Sequence, residues 1–304
     1  MIYLLQRLTQ GLLVLLGVTS IVFALTFLSG DPAVTLAPLN TTPEELAIFR
    51  QRMGLDRPVP VQYVDFLSHA VRGDFGTSFR YREPAMGVVL ERAPATLRLT
   101  AVAIVFALLV SLPLGILAAM DHDGAIDAAA RFFALIGQSV PTFLLGIVLI
   151  LVFAVALHWL PSSGGDGWQS LVLPGITVGA FSAAVLLRLL RSSLLEVLGQ
   201  DYIRTAYAKG LRGRAVLVGH ALQNAALPYT TMLGLQVGFL LSGAVIAETI
   251  FAYPGIGRLA VDAISTKDVP VIQAFVTVAA VIVVVVNLAV DLGYRVLDPR
   301  VRLS

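Results

Sequence analysis

The residues with the clearest chemistry are cations set among glycines. In DYIRTAYAKGLRGRAVLVGHALQNAALP, residues 201–228, Arg204, Lys209, Arg212 and Arg214 stand between two long apolar runs. Such cations can dock against a partner protein or hold a loop on one side of a membrane. Catalysis is poorly served. The four histidines, His69, His122, His158 and His220, are far apart and none stands in a His-Glu-x-x-His pattern, so each reads as a surface or interfacial side chain. No Gly-x-x-x-x-Gly-Lys-Ser/Thr loop occurs, and neither lysine, Lys209 or Lys267, is embedded in one, so the chain is not expected to bind ATP itself. The absence of cysteine excludes disulfides, thiolate nucleophiles and cysteine-ligated metals. No catalytic residue, cofactor or metal is assigned.

The elements that must position these cations are membrane helices. Hydrophobic residues make up 57% of the 304 and charged residues only 13%, about half the charge of a typical soluble domain. Lipid is the expected solvent, and the small net charge of +2 points to membrane orientation and local patches rather than to nucleic acid. A crossing helix needs about 20 mostly apolar residues. Six segments qualify: Leu8–Leu28, Leu99–Met120, Phe132–Leu157, Leu171–Leu190, Tyr229–Ala252 and Val269–Val290. The first lacks a small-x-small cleavage pattern before Asp31 and reads as an uncleaved anchor. Pro113 and Pro141 are expected to kink the second and third.

Arginine and lysine in short loops are retained in the cytoplasm. The connection after span four carries Arg191, Arg204, Lys209, Arg212 and Arg214, and the tail carries Arg295, Arg300 and Arg302, so both termini are expected inside. DHDGAIDAAAR, after span two, must share that side although it is mostly acidic before Arg131. The expected division is an N-terminal helix over 1–29, an external segment over 30–95 and a five-helix core over 96–304, with a cytoplasmic arm at 191–227. Within the external segment, Thr42 is the expected N-cap of a short helix, Pro43 its first turn, Glu45 its capping-box partner and Gly54 its stop.

Within the arm, Asp201 can cap a helix in which Ile203, Ala206 and Tyr207 share a face while Arg204 and Ala208 point elsewhere. Gly210 supplies a left-handed stop, and a second short helix is expected from about Arg212 to just before Pro228. A basic loop that only fixes topology needs arginine but no glycine-broken pair of amphipathic helices, which favours a docking arm.

RTAYAKG, Arg204–Gly210, resembles the Glu-Ala-Ala-x-x-x-Gly loop of bacterial ABC-importer permeases, in the variant of the dipeptide/oligopeptide/nickel family. Arg204 and Thr205 replace the Glu and first Ala, while Ala206 and Gly210 match; His220 and Leu222 fit the continuation, where Gln223 replaces a common proline. GLDRPVPVQY, RGDFGTSFRYREP, ERAPATLRLT, GAVIAETIFAYPGIGRLAVDAISTKDVPVIQ and NLAVDLGYRVLDPRVR extend the resemblance to the family's B-type permease along nearly the whole chain. The resemblance implies an all-α integral membrane protein with the type I ABC importer permease fold in a bacterial plasma membrane. It also implies a second, related permease, one or two P-loop ATPases that bind ATP and Mg, and an extracytoplasmic solute-binding protein. Arg204, Thr205, Ala206, Tyr207, Lys209, Gly210, Leu211 and Arg212 would then form the coupling contact with the ATPases. Peptides are the implied substrate, with nickel, glutathione or another small solute as alternatives.

Polar groups in or beside the spans are costly to desolvate and tend to face a partner or a pathway. They are Gln138, Ser139, Thr142, Gln236, Glu248, Asn287 and Asp291. Solvation or helix-pair hydrogen bonding accounts for Glu248 and Asp291; Gln138, Ser139, Thr142 and Gln236 are candidates for lining a path. YPGIG opens the loop after span five, and Pro-Gly alone explains it as a turn; the family resemblance also implies an external gate at Tyr253, Pro254 and Gly255. An ATP-independent carrier would favour internal repeats and midplane charges, and an intramembrane hydrolase would need a nucleophile and base within the spans. Neither signal is evident.

Overall fold

The computed structural model describes residues 2–28, 33–34, 41–52, 54–164 and 167–297. Its helices are α1 (Ile2–Leu28), α2 (Pro43–Arg52), α3 (Val59–Ala70), α4 (Ala85–Met120), α5 (Ala125–Ser139), α6 (Thr142–Ala156), α7 (Gln169–Leu198), α8 (Asp201–Ala208), α9 (Gly213–Ile250), α10 (Ile256–Ser265) and α11 (Val269–Leu297). Among the described residues there is no strand, only an isolated bridge between Thr77 and Pro84. Among the described residues, four helices are long and apolar enough to cross a membrane: α4, α7, α9 and Val269–Val290 of α11. The pair α5 and α6 makes a fifth if it counts as one span.

That pair departs from the expected third span. Instead of one kinked helix over 132–157, α5 and α6 meet at 108°. Pro141 has no N–H to donate and forces the residue before it out of the helical region. Val140 is accordingly extended, at φ −79° and ψ 122°, and the helical ladder stops there. Pro113, by contrast, lies inside a helix of 36 residues that begins well before the expected start at Leu99.

The span after the arm also differs. The arm's second helix does not end before Pro228; α9 runs on from Gly213 to Ile250, with a π-helical turn at Leu217–Ala221. An interior proline costs about 3 kcal/mol in an isolated helix. Here Ala221, Ala225 and Tyr229, four residues apart and all buried, hold one face of α9 in a core on both sides of that proline. Tertiary packing outweighs the local penalty.

The contacts resolve into two compact units. The first takes its described residues from Met1–Pro94 and Gly255–Leu288. Its core joins Phe75, Val88 and Val89 to Ile256, Leu259 and Val271. The capping box is present: the Thr42 N–H donates to Glu45 Oε2 at 2.9 Å and the Glu45 N–H returns to Thr42 Oγ1 at 3.4 Å. Gly54 has the positive φ of a stop, 65°. Asp268 is buried and accepts the Ser78 hydroxyl at 2.6 Å and the Arg80 N–H at 3.3 Å, which pins the 78–81 turn.

The second unit takes its described residues from Ala95–Pro254 and Ala289–Arg302 and holds the arm with Gln138, Ser139, Thr142, Gln236 and Glu248. Its core is built on α7, whose small residues admit close neighbours. A Cβ on Gly179 would lie 2.6 Å from the Ala103 carbonyl oxygen, and one on Gly175 would lie 2.5 Å from Val102 Cγ1. Without a hydrophobic drive between helices in lipid, such close approach supplies the packing. Arg300 and Arg302 lie outside the described residues, as does the side chain of Asp291.

Candidate functional site

The arm begins where α7 ends. α8 starts with Gln200 as its N-cap rather than Asp201, and the Gln200 carbonyl takes the N–H of Ile203 at 3.1 Å and of Arg204 at 3.4 Å. Asp201 occupies the first helical position, where its charge suits the helix dipole and its carboxylate accepts from Arg204 Nη1 at 3.4 Å.

Two side chains fix α8 to the unit. Ile203 is 1% exposed and Ala206 is 7% exposed, and both pack in the cluster of Leu186, Leu190 and Leu194 with Val216 and Ala221. Burying one isoleucine stabilises by about 1.5–3 kcal/mol. Tyr207 does not share this buried face; it is 50% exposed, and Tyr202 is 45% exposed. Arg204, Thr205, Lys209, Leu211, Arg212 and Arg214 are exposed as well. The arm therefore presents an outer surface of arginine, lysine and two tyrosines on an apolar anchor.

The end of α8 is a complete Schellman motif. The Leu211 N–H donates to the Ala206 carbonyl at 3.3 Å and the Gly210 N–H to the Tyr207 carbonyl at 2.9 Å. Gly210 sits at φ +82°, as such a stop requires. Among the described residues, no heavy atom beyond its two chain neighbours comes within 4 Å of where its Cβ would be, so the glycine serves the backbone angle and not a tight contact.

One element of this region was not singled out from sequence. Asp127, in the first turn of α5, is fully buried and forms a bidentate pair with Arg191 of α7, to Nε and, at 2.7 Å, to Nη2. The Asp123 N–H at 3.1 Å and Arg131 Nη2 at 3.5 Å complete its surroundings. Arg191 stands one turn before Leu194, which packs on the arm. The i, i+4 spacing of Asp127 and Arg131 was visible, but a partner 64 residues away was not.

The structure does not gather the path candidates into one cluster. Gln138, Ser139 and Thr142 sit together at the bend between α5 and α6, with Ser139 exposed and the others half-buried. Gln138 Nε2 is buried without a hydrogen-bond partner. Gln236 is buried in α9, where its Oε1 accepts the Ser182 hydroxyl of α7 at 2.8 Å. Glu248 is fully buried and accepts the Thr96 hydroxyl at 2.5 Å, a bond between α9 and α4. Tyr253 follows closely: its N–H donates to the Glu248 carbonyl at 2.9 Å and its ring is 2% exposed. Burial pushes the Tyr253 phenol above its ordinary range, with Arg98 opposing and Glu248 adding to the shift. Pro254 is exposed, and Gly255 leads into α10.

Residues 111–303 match the family described as binding-protein-dependent transport system inner membrane components, and residues 1–100 match the N-terminal part of such membrane components. The chain is 41% identical over 301 residues to the glutathione transport system permease protein GsiC of Salmonella typhimurium (strain LT2), covering 99% of this chain and 98% of that protein. It is 40% identical over 301 residues to GsiC of Escherichia coli (strain K12), with the same coverage. In fold it is similar to the inward-facing MetNI methionine ABC transporter, with a TM-score of 0.56 at 20% identity, covering 70% of this chain and 97% of that one. An amino acid ABC transporter solved with histidines gives 0.54 at 14% identity, covering 69% and 94%.

Proposed function

This chain belongs to the family of binding-protein-dependent transport system inner membrane components, and we propose that it forms half of the path of an ATP-driven importer of short peptides. As an ABC importer permease it works inside a larger assembly. The partners we assign are a second, related permease, one or two cytoplasmic P-loop ATPases that bind ATP and Mg, and an extracytoplasmic binding protein that delivers the solute. This chain itself catalyses nothing. The glutathione permeases it resembles carry a peptide-like solute, which supports peptides over nickel as the substrate.

The observation that carries this reading is the arm: a cationic, tyrosine-bearing surface that is anchored by Ile203 and Ala206 and closed by Gly210. An arm that only marked topology would need neither the anchor nor the motif. Arg204, Thr205, Tyr207, Lys209, Leu211 and Arg212 are proposed to meet the ATPase, with Ala206 holding them from behind and Gly210 setting the bend. ATP-driven closure would move the arms of the two permeases together and reorient the path; a solute can bias that equilibrium only through unequal affinity for its states.

In this reading α1 is the sixth span. Its 27 residues give about 40 Å of helix against a hydrocarbon core of about 30 Å. Both termini and the arm lie in the cytoplasm, and residues 30–95 lie outside, where they help seat the binding protein. The path is proposed to pass the bend at Gln138, Ser139 and Thr142; Gln236 reaches it only on release of its bond to Ser182. Tyr253, Pro254 and Gly255 are placed at the external gate.

The test is purification of the tagged chain in mild detergent, followed by an ATPase assay and reconstituted uptake of a labelled dipeptide and of glutathione. Recovery of a second permease and ATPase subunits, with ATP-dependent uptake, is the expected result. A complex without an ATPase that still transports in the absence of ATP would overturn the reading in favour of a carrier.

A further inference from the structure

The interface of α5 with α7 is built mostly from small residues, which set a register weakly. Ala130 and Ala134 are buried against Ala184 and Leu187. A Cβ on Gly137 would lie 2.8 Å from Ala184 Cβ and 3.3 Å from the Ala180 carbonyl oxygen. The helices therefore approach closely, along a seam that apart from Leu187 is mostly alanine and glycine, with few knobs to resist sliding. In lipid there is also no hydrophobic drive to restore a slipped pair.

One directional contact closes this seam. The Asp127 carboxylate and the Arg191 guanidinium meet through two parallel bonds, and Asp127 is 0% exposed while the Arg191 side chain is 16% exposed. A fork-to-fork pair fixes orientation as well as distance. Buried pairs are poor stabilisers, because desolvation offsets most of their attraction, and their best-attested use is to specify register.

The pair's position gives that register a purpose. On α7, Arg191 is one turn from Leu194, which packs with Ile203 and Ala206 of the arm. On α5, Asp127 lies at the opposite end from Gln138 and Ser139, about 17 Å away along the helix. There the chain bends by 108° and Gln138 Nε2 is buried without a partner.

We propose that Asp127 and Arg191 are positioning residues that lock α5 to α7 and to the arm as one lever, so that displacement of the arm is delivered to the bend at Gln138–Thr142. The proposal rests on the reading of the arm as the ATPase contact. Neither residue touches the ATPase or the solute; they set how much of the arm's movement reaches the path.

The chain contains no cysteine, so Ile126→Cys and Ala208→Cys give one spin-label pair in it. Both sites are exposed, one on α5 and one on the arm. The labelled chain is assembled with its partner subunits and compared with Asp127→Asn and Arg191→Gln in the nucleotide-free and ATP-trapped states. In the wild type the label distance should be the same in both states. In each variant it should broaden, hydrolysis per assembled complex should persist, and uptake per ATP should fall about tenfold, within the range of coupling between distant sites. D127N/R191Q leaves no unpaired buried charge and provides the same readout if a single variant fails to assemble. The proposal is overturned if the wild-type distance changes with nucleotide, or if the variants lose assembled complex while the remainder keeps wild-type uptake per ATP. A wild-type complex that assembles without any ATPase would instead sink the importer reading, and the label distances in the two permease variants would still decide whether the pair locks α5 to the arm.

Discussion

Substitution of Gly210 isolates the backbone contribution to the arm. The residue sits at φ +82° with open space around it, so a new side chain meets no neighbour and only the left-handed angle is penalised. An L-residue there costs about 1–2 kcal/mol, with asparagine tolerating the region and β-branched residues tolerating it least. Ile203 and Ala206 remain buried whatever stands at 210, so the anchor resists that penalty and the damage falls on the 206–211 turn. A shift of 1–2 kcal/mol changes the population of the native turn about 5- to 30-fold. Uptake per ATP in proteoliposomes should therefore fall by about that factor for Gly210→Val, by less for Gly210→Ala, and little for Gly210→Asn. Membrane insertion and α7–α9 packing should be unchanged. Wild-type uptake by Gly210→Val would refute the role, and an equal loss in Gly210→Asn and Gly210→Val would show that the φ angle is not what matters.

Further expectations concern the anchor, the interior bond and the capping box. Ile203→Ala removes a buried side chain at a cost of about 2–5 kcal/mol; amide exchange over 201–212 should accelerate while the spans stay protected, and unchanged protection would mean the anchor is not needed. Gln236→Leu strands the buried Ser182 hydroxyl and should lower thermal stability in detergent by about 1–3 kcal/mol, whereas S182A/Q236L, which removes both partners, should be near neutral. Uptake unaffected by Gln236→Leu would remove that residue from the path. Glu45 accepts the Thr42 N–H and hydroxyl, which hold its carboxyl below the usual range. Its contribution to α2 is therefore present above the unfolded carboxyl pKa, about 4.3, and is lost as pH falls through the lowered folded value. Exchange at residues 45–47, corrected for intrinsic rate, should rise with acidification and lose that added pH dependence in Glu45→Gln.

What the sequence made legible was local. The box at Thr42 and Glu45 and the positive φ at Gly54 and Gly210 follow from chemistry within a few residues, and each is present. What it hid was set by distant contacts. Helical spacing puts Tyr207 on one face with Ile203 and Ala206, but of the three only Ile203 and Ala206 pack in the cluster made with α7 and α9, and Tyr207 is left exposed. Pro141 and Pro228 carry the same local penalty, yet one ends a helix and the other sits inside one. The difference lies in the buried face that continues past Pro228 and that no local rule contains. The core of the first unit likewise joins residues 75–93 to 256–278, a pairing beyond any periodicity.

The acidic loop after α4 shows the same principle in its charges. Read linearly, DHDGAIDAAAR sets three aspartates against one arginine, an odd composition for a loop expected on the side that retains arginine. In the structure two of these carboxylates are committed inside the unit. Asp121 Oδ2 accepts the Ile126 N–H at 2.8 Å, and Asp127 is enclosed by Arg191 and by the Asp123 N–H, with Arg131 at 3.5 Å. Asp123 is left at the surface, beside His122 and 4.0 Å from Arg131. The same bonds give a second role to Arg191, counted from sequence only as a loop cation: it is the partner of an aspartate on another helix. A charge count along the chain leaves out this pairing, because Asp127 and Arg191 offset each other across 64 residues.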